Sequence, residues 1–310
     1  MRLLITGGAG SLGTNIIEHL GEQCQEILVI DNFATGKKAA LLPAKNLRVV
    51  DATIADSNLV NKLFADFRPT HVIHSAASYK DPNDWTEDSL TNVVGTCNVV
   101  RAAESVQVQR LINFQTALCY GRPSQVPIPI THPTSPFTSY GITKTAGEAF
   151  VRAAKISNAS FRLANVTGPR LAIGPIPTFY KRLKSGESCS VSTTIRDFLD
   201  MSDFLSLVDL ALKTDAPSGV FNVSTGEGHT IEEIFRVVAK HVGKPDAEPA
   251  SINPPGPDDV VAVVLDPTET QTAFGWIAKV GFAETISRML SRYDVHGVTD
   301  IYSHLQESKQ

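Results

Sequence analysis

Arg2-Leu-Leu-Ile-Thr-Gly-Gly-Ala-Gly-Ser-Leu-Gly13 begins as a short apolar run and passes directly into glycines at positions 7, 10 and 13. Leu12, Ile16, Ile17 and Leu20 follow at helical spacing. In a strand–turn–helix unit of this kind Gly7 permits the tight turn and Gly10 lets the backbone approach a pyrophosphate. Gly13 lets helix and strand pack closely, and the helix N-terminus attracts the anion. A second apolar run, Glu26-Ile-Leu-Val-Ile30, ends at Asp31, where a carboxylate would bond ribose hydroxyls and repel a 2′-phosphate. A bound dinucleotide is therefore expected, NAD in preference to NADP, although Lys37 and Lys38 are cations near enough to meet a phosphate.

Strand and helix patterns go on alternating outward from this unit. Strands are expected at Leu47–Val50, His71–Ser75, Arg110–Phe114 and Ser160–Ala164. Helices are expected over 56–67, through a long stretch ending near Ser105, and around Tyr140, after a Pro-rich loop at 121–136. That rhythm predicts an α/β fold, a doubly wound parallel (Rossmann) sheet, with ligands outside the carboxyl ends of the strands. Gly13, Asp31, Ser75, Thr116 and Asn165 all fall near such ends. Beyond Ala164 prolines interrupt shorter elements, among them Pro169, Pro175, Pro177, Pro254, Pro255 and Pro257. The expected division is an NAD-binding domain over 1–164, to which 197–222 returns, and a smaller C-terminal substrate lobe from 165–196 and 223–310.

Composition narrows the function classes. The 310 residues are 42% hydrophobic and 19% charged, with a formal net charge of −4, which argues against broad nucleic-acid or acidic-membrane binding. No apolar run reaches membrane-spanning length, and the apolar start is too short for a signal peptide. Cys24, Cys97, Cys119 and Cys189 are widely spaced, and His71 and His74 have no ligand cluster around them, so no metal site is expected. The expectation is a soluble cytoplasmic protein.

Tyr140-Gly-Ile-Thr-Lys144 puts a phenol and an ammonium four residues apart, on one face of a helix. A nearby cation favours phenolate, which would poise Tyr140 as an acid–base group. Together, Thr6–Gly13, Tyr140–Lys144, Arg162-Leu-Ala-Asn-Val-Thr-Gly-Pro-Arg170 and Arg196-Asp-Phe198 resemble the extended short-chain dehydrogenase/reductases. More narrowly, the chain resembles the NAD-dependent nucleotide-sugar epimerase/dehydratase family. Ala76-Ala-Ser-Tyr-Lys-Asp-Pro82 and Phe114-Gln-Thr-Ala-Leu-Cys-Tyr-Gly121 look most like a subgroup encoded in O-antigen clusters and acting on UDP-sugars, including uronic acids.

The resemblance implies a catalytic set of Thr116, Tyr140 and Lys144. Thr116 stands four residues before Tyr120-Gly121, the place of the family's hydroxyl partner, and Lys144 would hold the nicotinamide ribose and lower the tyrosine's pKa, with the positive nicotinamide helping. It implies cofactor contacts from Gly7, Gly10, Ser11, Leu12, Gly13, Asp31, Asn32, Ile54, Ala76, Ala77 and Asn92, with Asn92 bracing the active-site helix. Lys80, Thr116, Asn165 and Arg196 would meet the substrate, the last two at its diphosphate. A homodimer is implied as well. Two positions depart from the pattern: Thr53 replaces the adenine-contacting aspartate, and Pro255, beside Gly256-Pro-Asp258, replaces a second diphosphate arginine.

Family chemistries open alike, with sugar C4 oxidised to a ketone as the tyrosine takes its hydroxyl proton. A 4,6-dehydratase then needs an Asp-Glu pair directly after the threonine, and a decarboxylase needs a glutamate at the second of those positions. Ala117 and Leu118 stand there instead. C4 epimerisation of a UDP-sugar, which needs no further acid, is the expected reaction. A dehydratase or decarboxylase with its acid elsewhere is the alternative; a non-catalytic NAD-binding regulator would not be expected to keep all three catalytic residues.

Overall fold

The computed structural model describes residues 1–256 and 259–298. Seven strands form one parallel sheet: β1 (Arg2–Thr6), β2 (Glu26–Asp31), β3 (Leu47–Asp51), β4 (His71–His74), β5 (Arg110–Thr116), β6 (Asn158–Leu163) and, much later in the chain, β11 (Gly219–Val223). Their spatial order is β11-β6-β5-β4-β1-β2-β3. The order reverses at β1, with β2 on one side and β4 on the other, so a crevice opens there at the carboxyl ends. The fold class is the one the glycine unit predicts. Both faces of the sheet are covered, so β1 and β2 carry unbroken apolar runs, while β4, β5 and β6 interleave buried polar residues such as His74, Asn113, Gln115 and Ser160.

On one face α1 (Ser11–Leu20), α7 (Met201–Ala211) and α9 (Thr268–Phe274) bury Ile16, Ile17, Phe204, Leu207 and Phe274 against the sheet. On the other, α2 (Ser57–Phe67), α4 (Thr96–Ser105) and α5 (Ser139–Ala153) bury Val60, Phe64, Val99, Val100 and Val151. A third core lies in the C-terminal part, where α6 (Pro175–Lys184), α8 (Ile231–His241) and α10 (Phe282–His296) pack through Phe179, Phe235, Met289 and Leu290. Short strands connect these layers: β7 (Asn165–Thr167) with β10 (Phe198–Asp200), β8 (Ser190–Ser192) with β13 (Ser251–Asn253), and β9 (Ile195–Arg196) between β12 (His229–Thr230) and β14 (Ala262–Val263).

The long helix expected to end near Ser105 is not uniform. It runs as α3 (Trp85–Ser89), a π-helical turn (Leu90–Gly95) and then α4. A π turn inserts one residue and turns the following side chains around the axis. Here it directs Asn92 toward Ser78 and Thr143, and Thr96 toward His74. Pro257 and Asp258, part of the expected departure near Pro255, lie outside the described residues.

Candidate active site

The glycine turn is built on backbone conformations that side chains would block. Gly7 has φ +68°, and a Cβ there would stand 2.6 Å from the backbone of Ala76. A Cβ on Gly13 would stand 2.5 Å from Gly8 Cα, so this third glycine serves helix–loop packing and stays off the cavity wall. Gly10 is the N-cap of α1 and supplies no side-chain hydrogen bond, which leaves the helix's positive end to an anion from outside.

Asp31 closes the turn from the end of β2. Its carboxylate accepts the Ala9 N–H and the Phe33 N–H, each at 2.8 Å. A carboxylate has about four acceptor positions, so two remain for ribose hydroxyls. A cavity of about 700 Å³ extends from here along the strand ends. Its walls include Gly7, Gly10, Ser11, Leu12, Asp31, Asn32, Thr53, Ile54, Ala76, Ala77, Lys80, Thr116, Tyr140 and Lys144. Nearly all the expected cofactor and catalytic residues therefore converge on one space. The uncapped helix, the side-chain-free cradle and the acid at β2 fit NAD.

At the inner end Thr116 and Tyr140 meet. The Thr116 hydroxyl accepts the Leu118 N–H at 3.2 Å and is hydrogen-bonded to the Tyr140 phenol. Thr138 caps α5 through the Gly141 N–H, which fixes the first turn and the tyrosine on it. One turn on, the Lys144 ammonium donates to the Phe114 carbonyl at 2.6 Å. Gln115, which sequence reasoning did not single out, accepts the Thr116 N–H at 2.7 Å and donates to the Lys144 carbonyl at 2.9 Å, so it pins strand to helix. Nothing about a glutamine inside an apolar strand marks that role in advance.

In the protein frame alone the Tyr140 pKa is raised. Burial raises the Tyr140 phenol above its ordinary value, and Tyr79 and Asp88 raise it further; the Thr116 hydrogen bond opposes them. Burial also pushes Lys144 down, to about 8, against the pull of Glu148. The ammonium is turned to the Phe114 carbonyl, to which it donates, and within the protein frame the Thr116 hydrogen bond is what favours the phenolate.

Besides Gly13, three expected contacts lie off this cavity. Asn92 is buried behind it; its amide donates to Ser78 O at 2.9 Å and to Thr143 Oγ1 at 3.0 Å. It braces α5 and the Ser78 loop and does not touch the cofactor space. Asn165 is exposed and donates to the Asp197 carbonyl at 2.9 Å. Arg196 is half-buried and donates to its neighbour's carbonyl, Ile195 O, at 2.8 Å. Burial lowers its pKa, partly offset by Asp259. Ala117 and Leu118 begin a 3-10 turn after Thr116, and Ala117 is buried with Cys119, Tyr120 and Ile128. Besides Asp31, three acids line the cavity, and each is engaged locally: Asp81 with the Asn83 N–H, Asp84 as the cap of α3, and Glu87 with Thr91 Oγ1. Among the described residues no group of three or more His, Cys, Asp or Glu is placed to hold a metal ion, and no helix is long and apolar enough to cross a membrane.

A parallel sheet with an anion-ready helix end, a ribose acid and a Thr–Tyr–Lys set in one cavity defines a dinucleotide-dependent enzyme of the short-chain dehydrogenase/reductase class. The model of the NAD dependent epimerase/dehydratase family matches residues 3–224. The Bordetella bronchiseptica enzyme WbmG, crystallised with NAD, is similar at 62% identity and TM-score 0.94, over 99% of this chain and 98% of that one. WbmG crystallised with NAD and UDP matches at 61% identity and TM-score 0.93, over 98% and 97%. A UDP-glucose 4-epimerase of Mycolicibacterium smegmatis is 29% identical over 93% of this chain and 97% of its own. The chain belongs to the NAD dependent epimerase/dehydratase family, and NAD is its cofactor.

Proposed function

We propose that this NAD-dependent nucleotide-sugar 4-epimerase inverts C4 of a UDP-sugar through a 4-keto intermediate, with Tyr140 as the acid–base group. The carrying observation is the Thr116–Tyr140 pair at the inner end of the dinucleotide cavity, followed by Ala117-Leu118 where elimination chemistry needs acids. Bound NAD supplies a reversible store for the hydride taken from the sugar. Thr116 orients the sugar hydroxyl, Tyr140 takes its proton and gives it back, and Lys144 meets the nicotinamide ribose. The high proton affinity of Tyr140 suits a group that must return what it removes.

The UDP reading is supported by the UDP complex of WbmG. On this reading 1–164 with 197–222 carries the cofactor, while 165–196 and 223–310 carry the nucleotide sugar, with Asn165 and Arg196 turning to its diphosphate. Lys80 on the cavity wall is the cation offered to an anionic sugar, and UDP-glucuronic acid is the first substrate to test, ahead of acetamido-uronic UDP-sugars and UDP-glucose. Leu90 and Val94 of the π turn and Ile142 and Phe150 of α5 are exposed apolar side chains on two elements that pack together, which supports a homodimer; a solution mass of one 33.4 kDa chain would refute it.

Turnover in deuterium oxide separates the reactions. Ala117 and Leu118 cannot move a proton at C5, so the C4 epimer should form with no deuterium on carbon. Dehydration or decarboxylation would have to recruit Asp81, Asp84 or Glu87. Either would put solvent deuterium on carbon or remove mass from the sugar, and that result would exclude the epimerase.

A further inference from the structure

His74 ends β4 and is completely buried, yet both ring nitrogens are bonded to hydroxyls: Nδ1 to Thr6 Oγ1 at 2.7 Å and Nε2 to Thr96 Oγ1 at 2.9 Å. Its environment decides which nitrogen carries the proton. Thr96 Oγ1 lies 2.7 Å from the Asn92 carbonyl, to which its hydroxyl donates, so toward His74 it acts as acceptor. Thr6 Oγ1 accepts the Ala76 N–H at 3.3 Å, and its own hydrogen has Nδ1 to go to. The opposite tautomer would leave the hydroxyl hydrogen of Thr6, also fully buried, without an acceptor.

We propose that His74 is a positioning residue, held as the neutral Nε2–H tautomer, that ties the floor of the dinucleotide cradle to the catalytic helix. The directed chain starts at Ala76, whose backbone confines Gly7. It runs through Thr6, His74 and Thr96 to Asn92. The Asn92 amide carries it to Thr143 Oγ1 at 3.0 Å, and the Thr143 hydroxyl donates to Ser139 O at 2.8 Å, one residue before Tyr140. Each member has its hydrogens assigned, and the π turn at Leu90–Gly95 presents Asn92 and Thr96 together. Burial, then the Lys144 charge, pushes His74 down to about 3, so it stays neutral wherever the protein is folded. The proposal rests on the cavity being the NAD site but not on the sugar reaction.

The test uses the full-length NAD-loaded protein with ¹⁵N-labelled histidine, a His74→Asn variant assigning the signal. The expected result is a protonated Nε2 and an unprotonated Nδ1 from pH 5.5 to 9; a protonated Nδ1 or an imidazolium overturns the assignment. Thr96→Val leaves the Nε2–H unpaired while Thr96→Ser keeps its acceptor. Thr96→Val should release NAD at least ~10-fold faster with UDP affinity unchanged, and Thr96→Ser should restore release to within about twofold. A Thr96→Val protein that only melts earlier and releases NAD at the parent rate overturns the coupling, as does a serine variant that fails to restore it. Because NAD release needs no sugar turnover, failure of the epimerase reading would leave these outcomes intact.

Discussion

Asp31→Asn is the sharpest test of the cofactor site, because the residue serves two purposes that this substitution divides. The carboxylate accepts two backbone N–H groups, from Ala9 and Phe33, each at 2.8 Å, and Asp31 lies on the cavity wall. An asparagine keeps one acceptor oxygen and turns an NH2 toward the other N–H. The Ala9 or Phe33 donor then goes unpaired, at a cost of about 1–3 kcal/mol of folding stability. The ribose loses a charge-assisted partner worth about 1.5–3 kcal/mol, which is a ~10- to ~150-fold weaker NAD Kd. Calorimetric titration of NAD into stripped protein reads the second effect, and thermal melts with and without saturating NAD read the first. The parent should favour NAD over NADP, and the variant should lose much of that preference with the charge. An NAD Kd within about twofold of the parent's, or a parent that prefers NADP, would show that Asp31 only holds the loop.

Tyr140→Phe keeps the ring and removes the exchangeable proton, so turnover should fall at least ~10²-fold with NAD still bound; near-normal turnover would end the mechanism. Lys144→Met removes a buried ammonium whose pKa is down to about 8, whereas the unfolded chain holds that proton to about 10.4. Between those values the unfolded state binds more protons, so wild-type stability carries a contribution from Lys144 that rises with pH. Melts of the two proteins without NAD should differ most in the methionine's favour below pH 8 and converge above it; a pH-independent difference would contradict this. Arg196→Ala should weaken UDP nearly as much as the UDP-sugar, since the contact it supplies is to the diphosphate; unchanged UDP affinity would make it a brace for β9.

The sheet was legible from its strands because a parallel strand buried on both faces is an unbroken apolar run, as in Leu3–Ile5 and Ile27–Ile30. The glycine turn was legible because Gly7 and Gly13 are dictated by backbone approach, a constraint that leaves no other residue possible. What stayed hidden depends on the third dimension. No periodicity marks the π turn at Leu90–Gly95, since one inserted residue looks like ordinary helix until Asn92 and Thr96 find their partners. Gln115 and His74 look like core strand residues; their roles come from α5 and α4 packing over them. Spacing places Tyr140 and Lys144 on one face, but it reveals neither the Phe114 carbonyl that takes the lysine's hydrogen bond nor Asp88, brought in from α3 beside the tyrosine.

These hidden features bear together on the reaction. A residue that must move one proton off a hydroxyl and onto the same oxygen again has no need of a path to solvent. On the cavity wall Tyr140 is held by its neighbours: Thr116 bonds it, Tyr79 packs edge-on with ring centroids 5.9 Å apart, and the carboxylate of the buried Asp88 accepts the Ser139 hydroxyl at 2.7 Å. Burial, then Tyr79 and Asp88, raise the tyrosine's proton affinity, and on the proposed mechanism the positive nicotinamide would lower it when NAD is bound. On the same proposal Ala117 and Leu118 would offer a keto-sugar no proton at the neighbouring carbons. An enzyme built this way oxidises and reduces one carbon and leaves the rest of the sugar as it found it, and that is the physical content of C4 epimerisation.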